Sequence, residues 1–237
     1  MKTAVVTDLD GCLLDPRTYA WEAHREAVEE LRRRGVPLVF CTSKTRAETE
    51  ALRRETGNGD PFIVENGGAV VIGERTVVLG TPYAEILLAF DRLKGRVAAR
   101  GFSDMTAEEI ARECGLTLER ARLARQREYD EPFTCAADPV PHAVELGIRC
   151  SRGARFWHLH GDTDKGKAIR ALLREIGPAR TVGIGDSMLD LHLLEACEVR
   201  AAVARPDGTW DEVLESNFRD LRRFRDWTSA VRELVLG

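Results

Sequence analysis

The run Val5-Val6-Thr7-Asp8-Leu9-Asp10-Gly11 constrains this chain more than any other segment. Apolar residues lead into two aspartates at alternate positions, and a glycine follows. A strand has a period of two, so positions 8 and 10 face the same way, and the glycine permits a sharp turn directly after them. Two carboxylates at the carboxyl end of a buried strand are costly unless a cation or a reaction uses them. The competing reading is a strand that simply ends in solvated aspartates.

Order along the chain decides between these readings. Residues 3–7 read as a buried strand and Trp21–Arg34 as a helix closed by Gly35. Val36–Cys41 is a second apolar run, Thr45–Thr56 a helix, and Pro61–Val64 a short strand. Strands alternating with helices predict a parallel sheet with crossover helices. Ala69–Ile72 and Thr76–Leu79 suggest a hairpin. The rhythm then changes. Ala84–Arg100 is helical in pattern, Thr106-Ala107-Glu108-Glu109 is a capping box, and Leu118–Arg127 and His142–Leu146 read as further helices. Pro132–Ala136, Ile148–Cys150 and Arg155–His160 read as strands. From Asp164 the α/β alternation returns, with helices at Lys165–Ile176 and Met188–Cys197 and strands at Thr181–Ile184 and Val199–Val203. Trp210–Glu215 and Trp227–Leu236 read as closing helices. The expected organisation is an α/β core of residues 1–82 and 161–237, interrupted by an inserted α+β unit at 83–160.

Bulk properties exclude several classes. The 237 residues are 43% hydrophobic and 31% charged, an ordinary globular balance. A net charge of −4 argues against a general nucleic-acid binder. No apolar run approaches transmembrane length, and no signal-peptide pattern opens the chain. Six scattered cysteines without C-x-x-C pairs argue against a zinc cluster and suit a reducing cytoplasm. Cys12 is read as a core or loop residue. The expectation is a cytoplasmic enzyme of small molecules, with no nucleic-acid or membrane partner.

Four chemically rich pieces fall near strand ends: Asp8/Asp10, Thr42-Ser43, Asp164-Lys165-Gly166-Lys167, and Gly185-Asp186-Ser187-Met188-Leu189-Asp190. In open parallel sheets ligands bind outside the carboxyl ends of the strands. A hydroxyl, an ammonium and several carboxylates gathered there suit phosphate chemistry with Mg²⁺, which favours a few carboxylates, retained waters and phosphate oxygens. Lys165 could alternatively begin a solvated helix, and Asp190 could be an ordinary acidic residue in a first turn.

With all four pieces in this order, the chain resembles the haloacid dehalogenase superfamily. The resemblance implies a Rossmann-like parallel-sheet core with an inserted α+β cap. It implies Asp8 as the phosphate-accepting nucleophile and Asp10 as the general acid and base. Thr42 and Lys165 would hold the phosphoryl group, and Asp8, Asp10, Asp186 and Asp190 would form the Mg²⁺ site, Asp10 through its backbone carbonyl. Four further stretches resemble mannosyl-3-phosphoglycerate phosphatases: Ser43-Lys44-Thr45-Arg46-Ala47-Glu48, Glu65-Asn66-Gly67-Gly68, Arg127-Glu128-Tyr129-Asp130-Glu131-Pro132-Phe133 and Gly153-Ala154-Arg155-Phe156-Trp157-His158. The implied substrate is a phosphorylated sugar-glycerate, and the implied substrate-binding residues are Ser43, Lys44, Glu65, Asn66, Glu128, Arg155, His158 and Ser187. Cys12 and Leu189 depart from the family pattern, which has threonine and often asparagine there. The rival expectations are another capped sugar-phosphate phosphatase, a phosphomannomutase, or a non-catalytic phosphometabolite binder. Within the insert, Arg155, His158 and His160 are read as sharing one strand face, with Trp157 facing away. Arg155 is the candidate for the glycerate carboxylate, and Glu128 and Asp130 for sugar hydroxyls.

Overall fold

In β1, Thr3–Thr7, Val5 packs into one core cluster and Val6 into another. In β2, Leu38–Cys41, Leu38 and Phe40 join the first cluster while Val39 and Cys41 join the second. Apolar residues on both faces of a strand require cover on both sides, the situation of a parallel sheet between helical layers. The computed structural model describes residues 3–153, 155–177 and 180–237, so Ala154 of the quoted motif lies outside the described residues.

Six further strands join β1 and β2 in the large sheet. They are β3, Phe62–Val64, β4, Ala69–Ile72, β5, Arg75–Val78, β10, Arg180–Gly185, β11, Val199–Val203, and β12, Arg222–Phe224. Their order is β12-β11-β10-β1-β2-β3-β4-β5. Pairing is parallel from β12 to β3, and the β3–β4 and β4–β5 pairs are antiparallel. Helix α1, Arg25–Arg33, and helix α10, Trp227–Val231, cover one face through Leu31 and Trp227. Helix α7, Lys165–Ile176, and helix α8, Leu191–Glu195, cover the other through Ile169 and Leu193. Helix α2, Arg46–Thr56, opens with a Thr45/Glu48 capping box and ends at Gly57 in the left-handed conformation. Helix α9, Glu212–Asn217, is capped by Asp211.

β1 lies between β2, which follows it in sequence, and β10, which comes much later. The chain therefore departs to one side of β1 and returns on the other. This switch point opens a crevice at the carboxyl end of β1, where Asp8 follows.

Between β5 and α7 the chain builds a second unit, the cap. It consists of α3, Tyr83–Lys94, β6, Ala99–Gly101, α4, Ala107–Cys114, α5, Leu118–Ala124, β7, Asp130–Cys135, α6, Val140–Glu145, β8, Arg149–Arg152, and β9, Trp157–His160. Its four strands form an antiparallel sheet of order β6-β7-β9-β8. The expected Thr106 capping box opens α4. The long helix expected over 84–100 stops at Lys94, and Ala99–Gly101 pairs with β7 instead. Among the described residues no helix is long and apolar enough to cross a membrane.

Candidate active site

Asp8 continues the β1 pattern, its N–H donating to the Ile184 carbonyl at 3.0 Å. Leu9 turns into the core, fully buried, so Asp8 and Asp10 face one cavity of about 560 Å³ between sheet and cap. Gly11 has φ +85°, and a Cβ there would stand 2.5 Å from an Asp186 carboxylate oxygen. The turn after the two aspartates therefore needs glycine both for its backbone angle and for the close approach of the Asp186 loop.

Lys165, the first residue of α7, reaches the same place. Its Nζ donates to Asp8 Oδ1 at 2.6 Å and to Asp190 Oδ1 at 2.7 Å. Its side chain is 4% exposed, yet the two carboxylates hold the ammonium well above the usual lysine range and outweigh its burial. The other oxygen of Asp190 accepts the backbone N–H groups of Asp186 and Ser187, at 3.0 and 3.4 Å. Asp190 thus shapes the Asp186 loop and anchors Lys165, and both of its oxygens are engaged.

Asp186 has no such partners among the described residues. Among the described residues its carboxylate accepts only from Cys12 Sγ, 4.0 Å from Oδ1. Burial, reinforced by Asp190 and Asp8, pushes its carboxyl far up. Asp8 is pushed up as well, by burial first, with Lys165 pulling the other way. Ligand atoms of Asp8, Cys12, Asp186 and Asp190 all lie within 4.8 Å of one another. Carboxylates that are too crowded to ionise together fit a hard divalent cation, and their oxygen donors suit Mg²⁺. Burial and the surrounding carboxylates drive the Cys12 thiol well above its ordinary range, and soft sulfur is a poor ligand for Mg²⁺. The side chain of Asp10 stands apart from this group. Lys44 Nζ lies 2.9 Å from Asp10 Oδ1, an ion pair without hydrogen-bond alignment.

Thr42 directly follows β2 and is fully buried. Its Oγ1 accepts the N–H of Lys44 at 3.1 Å, which leaves the hydroxyl hydrogen without an acceptor among the described residues. Ser43, Lys44, Asn66, Arg155, His158 and Ser187 line the cavity, so these candidates do converge.

Four candidates do not line it: Thr42 and Asp190 are buried, and Glu65 and Glu128 are engaged elsewhere. Glu65 is fully buried with φ +47°. Its carboxylate accepts the N–H groups of Glu128 and Tyr129, at 2.8 to 3.1 Å, so it ties the core to the cap rather than touching a ligand. Glu128 points elsewhere and pairs with Arg46 at 3.1 Å. Asp130 is also fully buried, occupied by His158 Nδ1 at 2.9 Å, Arg127 Nη2 at 3.0 Å and Asn66 Nδ2 at 2.9 Å, which leaves nothing for sugar hydroxyls. The shared face expected for Arg155, His158 and His160 holds for the two histidines, which alternate in β9, but not for Arg155. Residues three apart cannot share one strand face, and Arg155 precedes β9 and enters the cavity from a loop. His160 is buried against the Gly161 carbonyl and the Ser151 hydroxyl.

Several participants escaped sequence reasoning. Tyr19 lines the cavity, donates to the Cys114 carbonyl at 3.1 Å and lies under Lys44. Arg205 also lines the cavity and is paired with Asp211. Arg127 underlies the cavity wall. Only the last carried a signal, because it opens one of the stretches that resemble the phosphatase family.

The profile of haloacid dehalogenase-like hydrolases matches residues 5–82. A glucosyl-3-phosphoglycerate/mannosyl-3-phosphoglycerate phosphatase of Methanococcoides burtonii is 37% identical, over 99% of this chain and 98% of its own. A mannosyl-3-phosphoglycerate phosphatase of Pyrococcus furiosus is 32% identical, over 84% of this chain and 89% of its own. Among solved structures, a HAD subclass IIB sugar phosphatase superposes with a TM-score of 0.76 at 14% identity, covering 100% of both chains.

Proposed function

Because the chain belongs to the glucosyl-3-phosphoglycerate/mannosyl-3-phosphoglycerate phosphatase family of haloacid dehalogenase-like hydrolases, we propose the following reading of its site. The protein is a phosphatase that releases phosphate from glucosyl- or mannosyl-3-phosphoglycerate. The observation that carries the assignment of roles is Asp8, held by Lys165 at 2.6 Å on the floor of a cavity that Asp10 also faces.

Asp8 attacks phosphorus with the oxygen that Lys165 leaves free and becomes an aspartyl-phosphate. Asp10 gives a proton to the departing glycerate oxygen, then takes one from the water that hydrolyses the intermediate. Lys165 and the Thr42 hydroxyl stabilise the charge on the equatorial phosphoryl oxygens. Asp8, Asp186 and the Asp10 carbonyl would hold Mg²⁺, with Asp190 bracing Asp186 from behind. When bound, the cation offsets the repulsion between these carboxylates and an anionic phosphate.

The cap, residues 83–160 in this reading, supplies the contacts to sugar and glycerate. Its connectors to the core, near Thr81-Pro82 and Gly161-Asp162, touch one another. A Cβ at Gly161 would collide with Thr81 Oγ1, so glycine lets them cross. Arg155 reaches the cavity with one guanidinium nitrogen bonded to the Cys114 carbonyl at 2.9 Å, leaving the others for the glycerate carboxylate. The test is to soak the Asp8→Asn protein with mannosyl- and glucosyl-3-phosphoglycerate. The phosphate should sit beside the substituted side chain and the carboxylate at Arg155, and a ligand bound elsewhere would contradict the reading.

A further inference from the structure

Arg127 belongs to the cap by sequence, yet its guanidinium enters the core. Nη2 donates to the Ser43 carbonyl at 3.2 Å, within the loop that carries Thr42. The same nitrogen stands 3.0 Å from Asp130 Oδ1, while Nε donates to the Asp130 carbonyl at 3.1 Å and lies 3.6 Å from Glu65 Oε2. The Arg127 side chain is 4% exposed, and those of Asp130 and Glu65 are fully buried. A planar guanidinium suits such a place because its donors are set in a fixed fork, which an ammonium cannot reproduce.

The Ser43–Lys44 peptide unit is held at both ends. Its carbonyl accepts from Arg127, and its N–H donates to Thr42 Oγ1 at 3.1 Å. With that lone pair of Thr42 engaged, the hydroxyl hydrogen must point away from the peptide. On the other side, the Glu65 N–H donates to the Lys44 carbonyl and the Asn66 N–H to the Thr42 carbonyl. Asp130 extends the series to the cavity wall by holding His158 Nδ1.

We propose that Arg127 is a positioning residue. From within the cap it orients the Ser43–Lys44 peptide, and through that peptide it aims the Thr42 hydroxyl at the phosphoryl group. The inference rests on the reading of Thr42 as a phosphoryl donor. It also gives the cap a part in phosphate chemistry, beside its part in recognising the sugar-glycerate.

The test is a double-mutant cycle on kcat with p-nitrophenyl phosphate, a substrate that reports on the phosphate loop whatever the natural substrate is. Thr42→Val removes the donor. Arg127→Lys keeps a positive charge beside Asp130 and Glu65 but cannot also hold the Ser43 carbonyl. Each single variant should lose about tenfold or more, comparable to a charge-assisted hydrogen bond. The double variant should be no slower than Thr42→Val alone. Amide exchange at Lys44 should also quicken in Arg127→Lys. If Arg127→Lys does not fold, Glu65→Gln/Arg127→Met/Asp130→Asn replaces the buried charges together and enters the same cycle. Losses that multiply in the double variant, or wild-type kcat in Arg127→Lys, overturn the inference while leaving the role of Thr42 intact. An unimpaired Thr42→Val enzyme contradicts that role and the inference with it.

Discussion

Lys165, at the start of α7, stands 2.6 Å from Asp8, at the end of β1, across 157 residues of chain. Both are buried, and Lys165 also neutralises Asp190. Removing one partner of a buried ion pair strands the other, at a cost of about 3–5 kcal/mol. Lys165→Met should therefore lower both stability and kcat. Urea unfolding at pH 7 reads the first and phosphate release the second. A variant as stable and as active as wild type would show that Lys165 is an ordinary helix residue.

If the carboxylate cluster holds the metal, binding should depend on pH. Burial raises Asp8 to about 7 and, with added repulsion from Asp190 and Asp8, Asp186 to about 8. Their unfolded values lie near 3.8, so between about pH 4 and pH 7 to 8 the metal-free folded state binds more protons than the unfolded state. Its stability must then fall as pH rises through that window. Mg²⁺ competes with those protons, so its affinity should rise from pH 6 to pH 8 and its binding should release protons. The gap in Tm between Mg²⁺-loaded and EDTA-treated protein should widen over the same range. An equal gap at pH 5.5 and pH 8 would contradict the placement of the metal. EDTA should stop turnover, and Ca²⁺ should restore it poorly because it takes more ligands at longer distances.

In the proposed reading Arg155 holds the glycerate carboxylate. Arg155→Ala should raise KM for mannosyl-3-phosphoglycerate by roughly ten- to a hundred-fold, the equivalent of one charge-assisted hydrogen bond. It should barely affect p-nitrophenyl phosphate, which has no carboxylate. Equal losses on both substrates would assign Arg155 to the Cys114 contact alone.

The catalytic strand was legible because its chemistry is local. An apolar run, two aspartates at alternate positions and a glycine are all visible within seven residues, while Thr42 follows a predicted strand, Lys165 opens a predicted helix and Asp186 lies between two predicted elements. Glu65 misled for the opposite reason: its partners, the Glu128 and Tyr129 amides, lie more than sixty residues away. The same distance hid Arg127, whose acceptor is 84 residues upstream. β6 and β12 escaped notice because each has only three residues and neighbours just one strand in its sheet. Too short for periodicity to register, they owe their extended form to that pairing.

The most direct measurement of the central claim is phosphate release from mannosyl- and glucosyl-3-phosphoglycerate by wild-type and Asp8→Asn proteins, side by side with Mg²⁺. Asparagine is close in shape to aspartate but cannot form the aspartyl-phosphate. The wild type should release phosphate from at least one of the two substrates, and Asp8→Asn should remain folded and release none. Phosphate release by Asp8→Asn at the wild-type rate, or no release from either substrate by the wild type, would contradict the account.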